Sequence, residues 1–204
     1  MRRFSQAISE GDGISVVPVL GADVAALAAE AEAAGAEALA VRTLEDAAAA
    51  RGRTGLPILV RALGIPSVGE GVDACVLAYA SLADEDGELE RVYVDIVDGG
   101  VECVVGVRDE DELEQSLERL DPEIILILEE EPEPEADELE RTLDLLPDVP
   151  AGKLVIAEAR TLNREQVVAL ERAGVDAVLV AGSAAGREFT ATLEELVRGS
   201  GSHS

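Results

Sequence analysis

Along the chain, short apolar runs alternate with longer amphipathic stretches. Apolar runs at 14–20, 37–42, 56–61, 73–79, 101–107, 123–128, 153–158 and 176–181 carry almost no internal charge. Such continuous runs suit strands buried on both faces, as in a parallel sheet. One phrase recurs: AAGAEALAV at 33–41, GVDACVLAY at 71–79, GGVECVVGV at 99–107 and AGVDAVLVAG at 173–182. Each copy has glycine, then a small or branched residue, then an acid, then a β-rich run. Glycine suits the left-handed residue that closes a helix, so the phrase predicts helix, cap, strand. Between the runs, residues 22–34, 109–120, 135–146 and 163–173 place apolar residues at helical spacing. Asn163 stands where a helix N-cap belongs, ahead of REQVVALERAG.

About eight alternating units predict a closed (β/α)₈ barrel, with an open doubly wound sheet as the alternative. The expected organisation is a single barrel domain over 1–199 and a flexible appended tail over 200–204. The chain has 204 residues, near the lower limit of roughly 200 for such barrels. Something must be short, and GIPSVGEG at 64–71 leaves little room for a third helix. A barrel short of a helix exposes apolar strand, which would suit a protein-interaction module or a homodimer as well as a monomer. The run EEEPEPE at 129–135 reads as a stiff, solvated acidic loop. A cation-binding lid is the other reading, though no EF-hand spacing is present.

Composition narrows the function classes. The formal net charge is −27, which repels nucleic acid and anionic membranes and opposes anionic ligands unless arginines gather. Lys153 is the only lysine and His203, in the tail, the only histidine. Histidine catalysis and histidine-bound metal are therefore not expected, and no cofactor is implied. Aromatic residues are 2% of the chain, too few for base-stacking platforms. Cys75 and Cys103 lie within apolar runs without a CxxC spacing, so both are expected as buried thiols. No apolar stretch reaches membrane-spanning length, and MRRFSQAISEGDG lacks the apolar core of a secretory signal. The expectation is a cytoplasmic protein.

In such a barrel the site lies at the C-terminal ends of the strands. There the first run ends with Pro18 and Leu20, and the second and third deliver Arg42 and Arg61. The fourth offers Tyr79 and Ser81, and the fifth passes Gly106 to Arg108. The sixth ends Leu128-Glu129-Glu130. The seventh delivers Glu158 and Arg160, and the eighth Gly182 and Ser183.

The order of these runs resembles the indole-3-glycerol phosphate synthase family. The resemblance is carried by LPILVRAL at 56–63, VECVVGVRDEDEL at 101–113, KLVIAEA at 153–159 and ERAGVDAVLVAGS at 171–183. It implies a (β/α)₈ barrel and a lyase that closes an indole ring on a phosphorylated, ring-opened sugar. The catalytic pattern does not follow. The family's first-strand glutamate and lysine fall at Pro18 and Leu20, its third-strand lysine at Arg61, and its fifth-strand glutamate at Gly106. Its sixth-strand asparagine and arginine fall near Leu128 and Glu130. The seventh-strand glutamate is kept as Glu158, and the small phosphate-binding residues of strand eight are matched by Gly182 and Ser183.

These positions leave several readings open. The chain is expected to be a synthase-like barrel without synthase activity, a scaffold or pseudoenzyme. An enzyme of another specificity, acting on a phosphorylated or carboxylated small molecule, is the alternative, with Tyr79 a candidate proton donor. Glu158 and Arg61 are the candidate catalytic residues. Arg160, Gly182, Ser183 and Arg42 are the candidate ligand or phosphate contacts. Arginine stays protonated at ordinary pH and is a poor general acid. Arg61 can instead pair with Glu158 or clamp an anion, so a phosphorylated small molecule or inorganic phosphate is the expected ligand.

Overall fold

The computed structural model describes residues 3–11, 13–62, 68–83, 87–128, 138–159, 162–181 and 187–200. Its strands are β1 Ser15–Leu20, β2 Leu39–Val41, β3 Ile58–Val60, β4 Ala74–Ala78, β5 Glu102–Val107, β6 Ile124–Ile127, β7 Leu154–Ala159 and β8 Ala177–Ala181. All pair in parallel and in sequence order. β1 closes the barrel on β8 from Ser15 opposite Ala177 to Val19 opposite Ala181. The helices are α1 Phe4–Ser9, α2 Val24–Ala33, α3 Leu44–Arg51, α4 Glu88–Asp98, α5 Glu110–Arg119, α6 Glu138–Leu145, α7 Arg164–Ala173 and α8 Arg187–Ser200. The expected barrel is present, and the open sheet is not.

Each strand is buried on both faces because alternate residues serve two layers. Val17, Val19, Leu59, Val76, Leu126 and Ile156 pack with one another inside the barrel. Leu20, Val41, Val60, Leu77, Val105 and Val178 pack outward among helix residues such as Leu27 and Leu89. Over the middle of each strand neither face meets water, so polar residues such as Ser15, Glu102 and Glu158 stand only near strand ends, and the uninterrupted apolar runs follow. Helix α1, not foreseen from the pattern, joins the inner layer. Its Phe4 and Ile8 are almost wholly buried among the inward strand residues and plug the barrel's floor. The Ser5 backbone N–H donates to Glu102 Oε2 at 3.1 Å, which fastens the plug to the start of β5.

The acid in the recurring phrase has a structural task at that same end. Asp73 Oδ2 accepts from the Ile58 backbone N–H at 2.8 Å, and Asp176 Oδ2 from that of Val155 at 2.7 Å. Each aspartate thus holds the first residues of the preceding strand. The glutamates reach further, Glu37 to the Ser15 hydroxyl and Glu102 to Ser5. The phrase's glycine ends α7 as expected, with Gly174 at φ +99°. Gly71 takes the same left-handed conformation at φ +87°, although no described helix lies between β3 and it.

This is the connection expected to carry a shortened or missing third helix. Residues 61–73 join β3 to β4, and the described part contains no helix. Arg51, at the end of α3, pins the connection. Its Nη1 donates to the Leu56 carbonyl at 3.0 Å, and its Nη2 to that of Gly71 at 3.0 Å. The same guanidinium pairs with Asp73. A Cβ at Gly69 would stand 3.2 Å from Leu44 Cδ1, so the segment lies close against α3. Val68, Val94 and Val97 are the exposed large hydrophobic residues among those described. Capping elsewhere follows the sequence. Asn163 Oδ1 accepts from Gln166 N at 3.0 Å, and Gln166 Oε1 accepts from Asn163 N at 3.0 Å.

Cys75 and Cys103 are register partners on β4 and β5 and are free, buried thiols. Burial pushes the Cys75 thiol up to about 12 and the Cys103 thiol up as well, so neither supplies a reactive thiolate near neutrality. Among the described residues no helix is long and apolar enough to cross a membrane.

Burial raises the pKa of Asp176 above its ordinary value, while its backbone hydrogen bonds pull the other way. A carboxyl whose folded pKa is raised stabilises the fold at low pH and loses that increment as pH rises through the folded value. Asp176→Asn keeps an acceptor for Val155 and removes the charge. Urea denaturation should therefore show this variant gaining on the wild type between pH 3 and pH 7. Asp176→Ala leaves the Val155 N–H without its acceptor and should cost about 1–3 kcal/mol. An Ala variant as stable as the Asn variant would contradict the role.

Candidate active site

Strand phase decides which side chains reach the mouth. On β1 the inward residues are Val17 and Val19, whereas Leu20 packs in the outer layer beside Val24 and Leu27. This corrects the sequence assignment, which set Pro18 and Leu20 against the family's first-strand acid and base. A one-residue shift exchanges the faces of a strand. The inward positions are as apolar as the outward ones, so β1 brings no ionisable group.

On β3 the inward phase passes from Leu59 to Arg61, whose backbone N–H donates to the Val41 carbonyl at 2.8 Å. On β7 it passes from Ile156 to Glu158. The two side chains meet across the barrel. Arg61 Nη2 donates to Glu158 Oε2 at 2.7 Å, and Nε faces Oε1 at ion-pair range. Nε is buried and makes no aligned hydrogen bond, so the Nε contact is electrostatic and the Nη2 contact carries the directional bond. Side-chain exposure is 23% for Arg61 and 14% for Glu158. Burial to this degree makes the pair stronger than a surface one and makes either charge costly without its partner.

Beside the pair lies an apolar sector. Gly106 on β5 is in register with Ala78 on β4. A Cβ on Gly106 would stand 2.9 Å from Leu128 Cδ1 and 3.1 Å from Leu128 Cγ. The Leu128 side chain therefore occupies the space that a side chain at position 106 would need. Leu128 is half-buried against the inner layer, and its N–H donates to the Val107 carbonyl at 2.8 Å. Among the described residues, the C-terminal ends of β4, β5 and β6 bring no polar side chain into this sector.

Other candidates fall elsewhere. Tyr79 points out of the barrel, not into the mouth. It is 2% exposed, its hydroxyl donates to Gln115 Oε1 at 2.9 Å, and the Arg119 guanidinium lies 5.7 Å from its ring centre. It follows Ala74, Val76 and Ala78 on the opposite phase and cannot donate a proton at the mouth. Arg108 is tied to Glu112, with Nε 2.9 Å from Oε1. Arg42 stands exposed at the rim, two residues after the inward Ala40. Arg160, Gly182, Ser183 and the acidic stretch 129–135 lie outside the described residues. Leu128 was visible in the sequence, but its pairing with Gly106 was missed; a glycine beside a large apolar residue at adjacent strand ends is the signal.

A cavity of about 570 Å³ opens at the opposite end of the barrel, lined by Asp73, Glu102, Asp121, Tyr93 and Arg3 among others. Three of its carboxylates already hold Arg51, Ser5 and Lys153. It is part of the floor's hydrogen-bonding frame. Among the described residues no cluster of three metal-binding side chains occurs.

Comparison with known proteins gives a consistent picture. Residues 66–196 match the family model for indole-3-glycerol phosphate synthase. An indole-3-glycerol phosphate synthase of Geobacillus sp. (strain WCH70) is 32% identical over 117 residues, covering 57% of this chain and 45% of that protein. One from Acidithiobacillus ferrooxidans is 34% identical over 110 residues, covering 54% of this chain and 41% of that protein. The matched stretch thus spans less than half of each relative. Among solved structures, (S)-3-O-geranylgeranylglyceryl phosphate synthase from Thermoplasma acidophilum, in complex with its substrate sn-glycerol-1-phosphate, superposes with a TM-score of 0.70. Its identity is 13%, with 98% of both chains covered. Thiamine phosphate pyrophosphorylase from Pyrococcus furiosus superposes with a TM-score of 0.67 at 16% identity, over 91% of this chain and 94% of that one. At these identities the two superpositions speak for the fold.

A double-mutant cycle tests the ion pair. Arg61→Met and Glu158→Met should each lower stability by about 2 kcal/mol, because each strands a partly buried charge. The double variant should be less destabilised than the sum by about 1–3 kcal/mol. Strict additivity in urea denaturation would show that the two groups do not interact.

Proposed function

Because the chain belongs to the indole-3-glycerol phosphate synthase family, we propose that it keeps that family's barrel without its ring-closing reaction. The observation that carries this reading is the Arg61–Glu158 contact. The family's retained acid is engaged side-on by a permanent cation standing where the family has a proton-donating lysine. Ring closure needs groups that give and take protons near neutral pH. Arginine does neither there, and the retained carboxylate is occupied by its contact with the guanidinium. The apolar surroundings support the same reading. Among the described residues, Val17, Val19, Gly106 and Leu128 occupy the neighbouring inward positions and bring no second acid–base group to this end.

A second reading has a specific support. Arginine has five N–H donors in a fixed fork. Glu158 takes the Nε and Nη2 edge, which leaves the Nη1 side of Arg61 directed to other partners. Arg42 stands on the adjacent strand end. Under this reading the mouth binds a small phosphorylated or carboxylated molecule, with Arg160, Gly182 and Ser183 completing the anion site and any chemistry being of another type. The Thermoplasma neighbour, solved with a glycerol phosphate, supports the ligand class by its fold alone.

The test is turnover of the family's phosphorylated, ring-opened sugar substrate, followed by the indole absorbance of the product. The expected result is a rate equal to buffer alone, with the protein folded as judged by circular dichroism. Ring closure proportional to protein concentration, lost in Glu158→Gln, would overturn the proposal.

A further inference from the structure

Helix α4, ELERVYVDIVD, carries more apolar residues than its packing on the barrel uses. Leu89, Val92 and Ile96 are buried in the outer core layer. Val94 and Val97, three residues apart, share another face of the helix and are 50% and 48% exposed. The β3–β4 connection brings a third such residue to the same end. A Cβ on Gly99, which closes α4, would stand 3.9 Å from Cγ1 of Val68, itself 42% exposed. The exposed large hydrophobic residues among those described therefore all stand on α4 or against its end. An exposed valine standing alone needs no explanation, whereas a cluster marks a contact surface. Val97 and Tyr93 also line the cavity at the floor of the barrel, so the patch runs into a recess.

We infer that this surface docks a basic amphipathic helix of a partner protein, laid along α4 beside the β3–β4 connection. Shape and charge both argue for that occupant. The described part of the connection contains no helix and lies close against α3 at Gly69. A row of side chains spaced three residues apart on α4 is the surface into which another helix packs. Exposed acids adjoin the valines in sequence: Glu70 beside Val68, Asp95 beside Val94 and Asp98 beside Val97. Glu123, also exposed, lines the recess. Arg91, the cation nearest in sequence, is already paired with Glu88 and Asp95. A second copy of the chain would set the same acids against one another and bring two formal charges of −27 together. A basic helix meets the valines with its apolar face and the acids with its flanks. This docking does not depend on what the mouth of the barrel binds.

Fluorescence anisotropy of labelled synthetic peptides on the whole chain tests this. The probe is a helical peptide of about fourteen residues, roughly four turns, with leucines along one face and lysines elsewhere. A second peptide of the same composition has its leucines scattered, and a third has glutamate in place of lysine. The wild type should bind the patterned lysine peptide about tenfold tighter than the scattered one, because only the former sets its leucines on the valines together. The glutamate peptide should not bind. Val94→Ser/Val97→Ser alters no charge and should remove the preference for the patterned peptide. Val94→Leu/Val97→Leu should keep it, which separates a lost contact from a lost fold. Equal binding of the patterned and scattered peptides would mean charge attraction alone and would overturn the inference. A preference kept in the serine variant, or a glutamate peptide that binds as tightly, would overturn it too. Sedimentation showing a dimer that the serine variant dissolves would make a second copy the occupant and likewise overturn it.

Discussion

The contact between Arg61 and Glu158 depends on strand phase at two distant points of the barrel. β3 must present Arg61 inward after Leu59, and β7 must present Glu158 inward after Ile156. Both follow from closure of the sheet, because a closed parallel barrel has no edge at which a strand can slip. Once the phase is set, the two charges face each other in a space lined largely by aliphatic side chains. Neither can be left unpaired there without cost. The pair therefore belongs to the stability of the mouth as much as to any ligand it binds.

The opposite end of the barrel shows how the frame is kept with little chain. Arg51, Asp73 and the left-handed Gly71 hold the β3–β4 connection, whose described part contains no helix. Asp176 makes the equivalent backbone contact between β7 and β8. Phe4 and Ile8 fill the floor. Acidic residues at this end are thus engaged with backbone amides, hydroxyls and Arg51. The strong negative charge of the chain is in part a set of structural ligands, and not only a solvated surface.

Much of this was legible in the residues. The apolar runs located all eight strands to within two residues at each end, because burial on both faces leaves an unbroken signal. The short third segment and the Asn163 cap were equally plain. Helix α4, ELERVYVDIVD, was not, since its β-branched residues speak for strand while its burial of Leu89, Val92 and Ile96 has helical spacing. Helix α1 was missed because six residues carry too little periodicity. At the mouth, Arg61 and Glu158 were visible as unlike charges at two strand ends. The phase of β1 was misread, since SVVPVL is apolar throughout and alternation cannot be seen in it. The outward turn of Tyr79 follows from the phase of β4, which a run of small and apolar residues equally concealed.

At the mouth Glu158 engages the Nε and Nη2 edge of Arg61 and leaves the Nη1 side for an anion under the binding reading. The most direct measurement is the melting temperature of the wild type and of the Arg61→Met/Glu158→Met double variant, titrated with inorganic phosphate at low and high salt. The double variant removes the cationic edge without stranding a charge. The account predicts a saturable, salt-sensitive rise in the wild type, absent from the double variant. At a hundred times the dissociation constant the rise corresponds to about 2.7 kcal/mol. An equal rise in both proteins, or none in the wild type at either salt, would contradict anion binding at Arg61 and leave the pair as a structural element of the barrel.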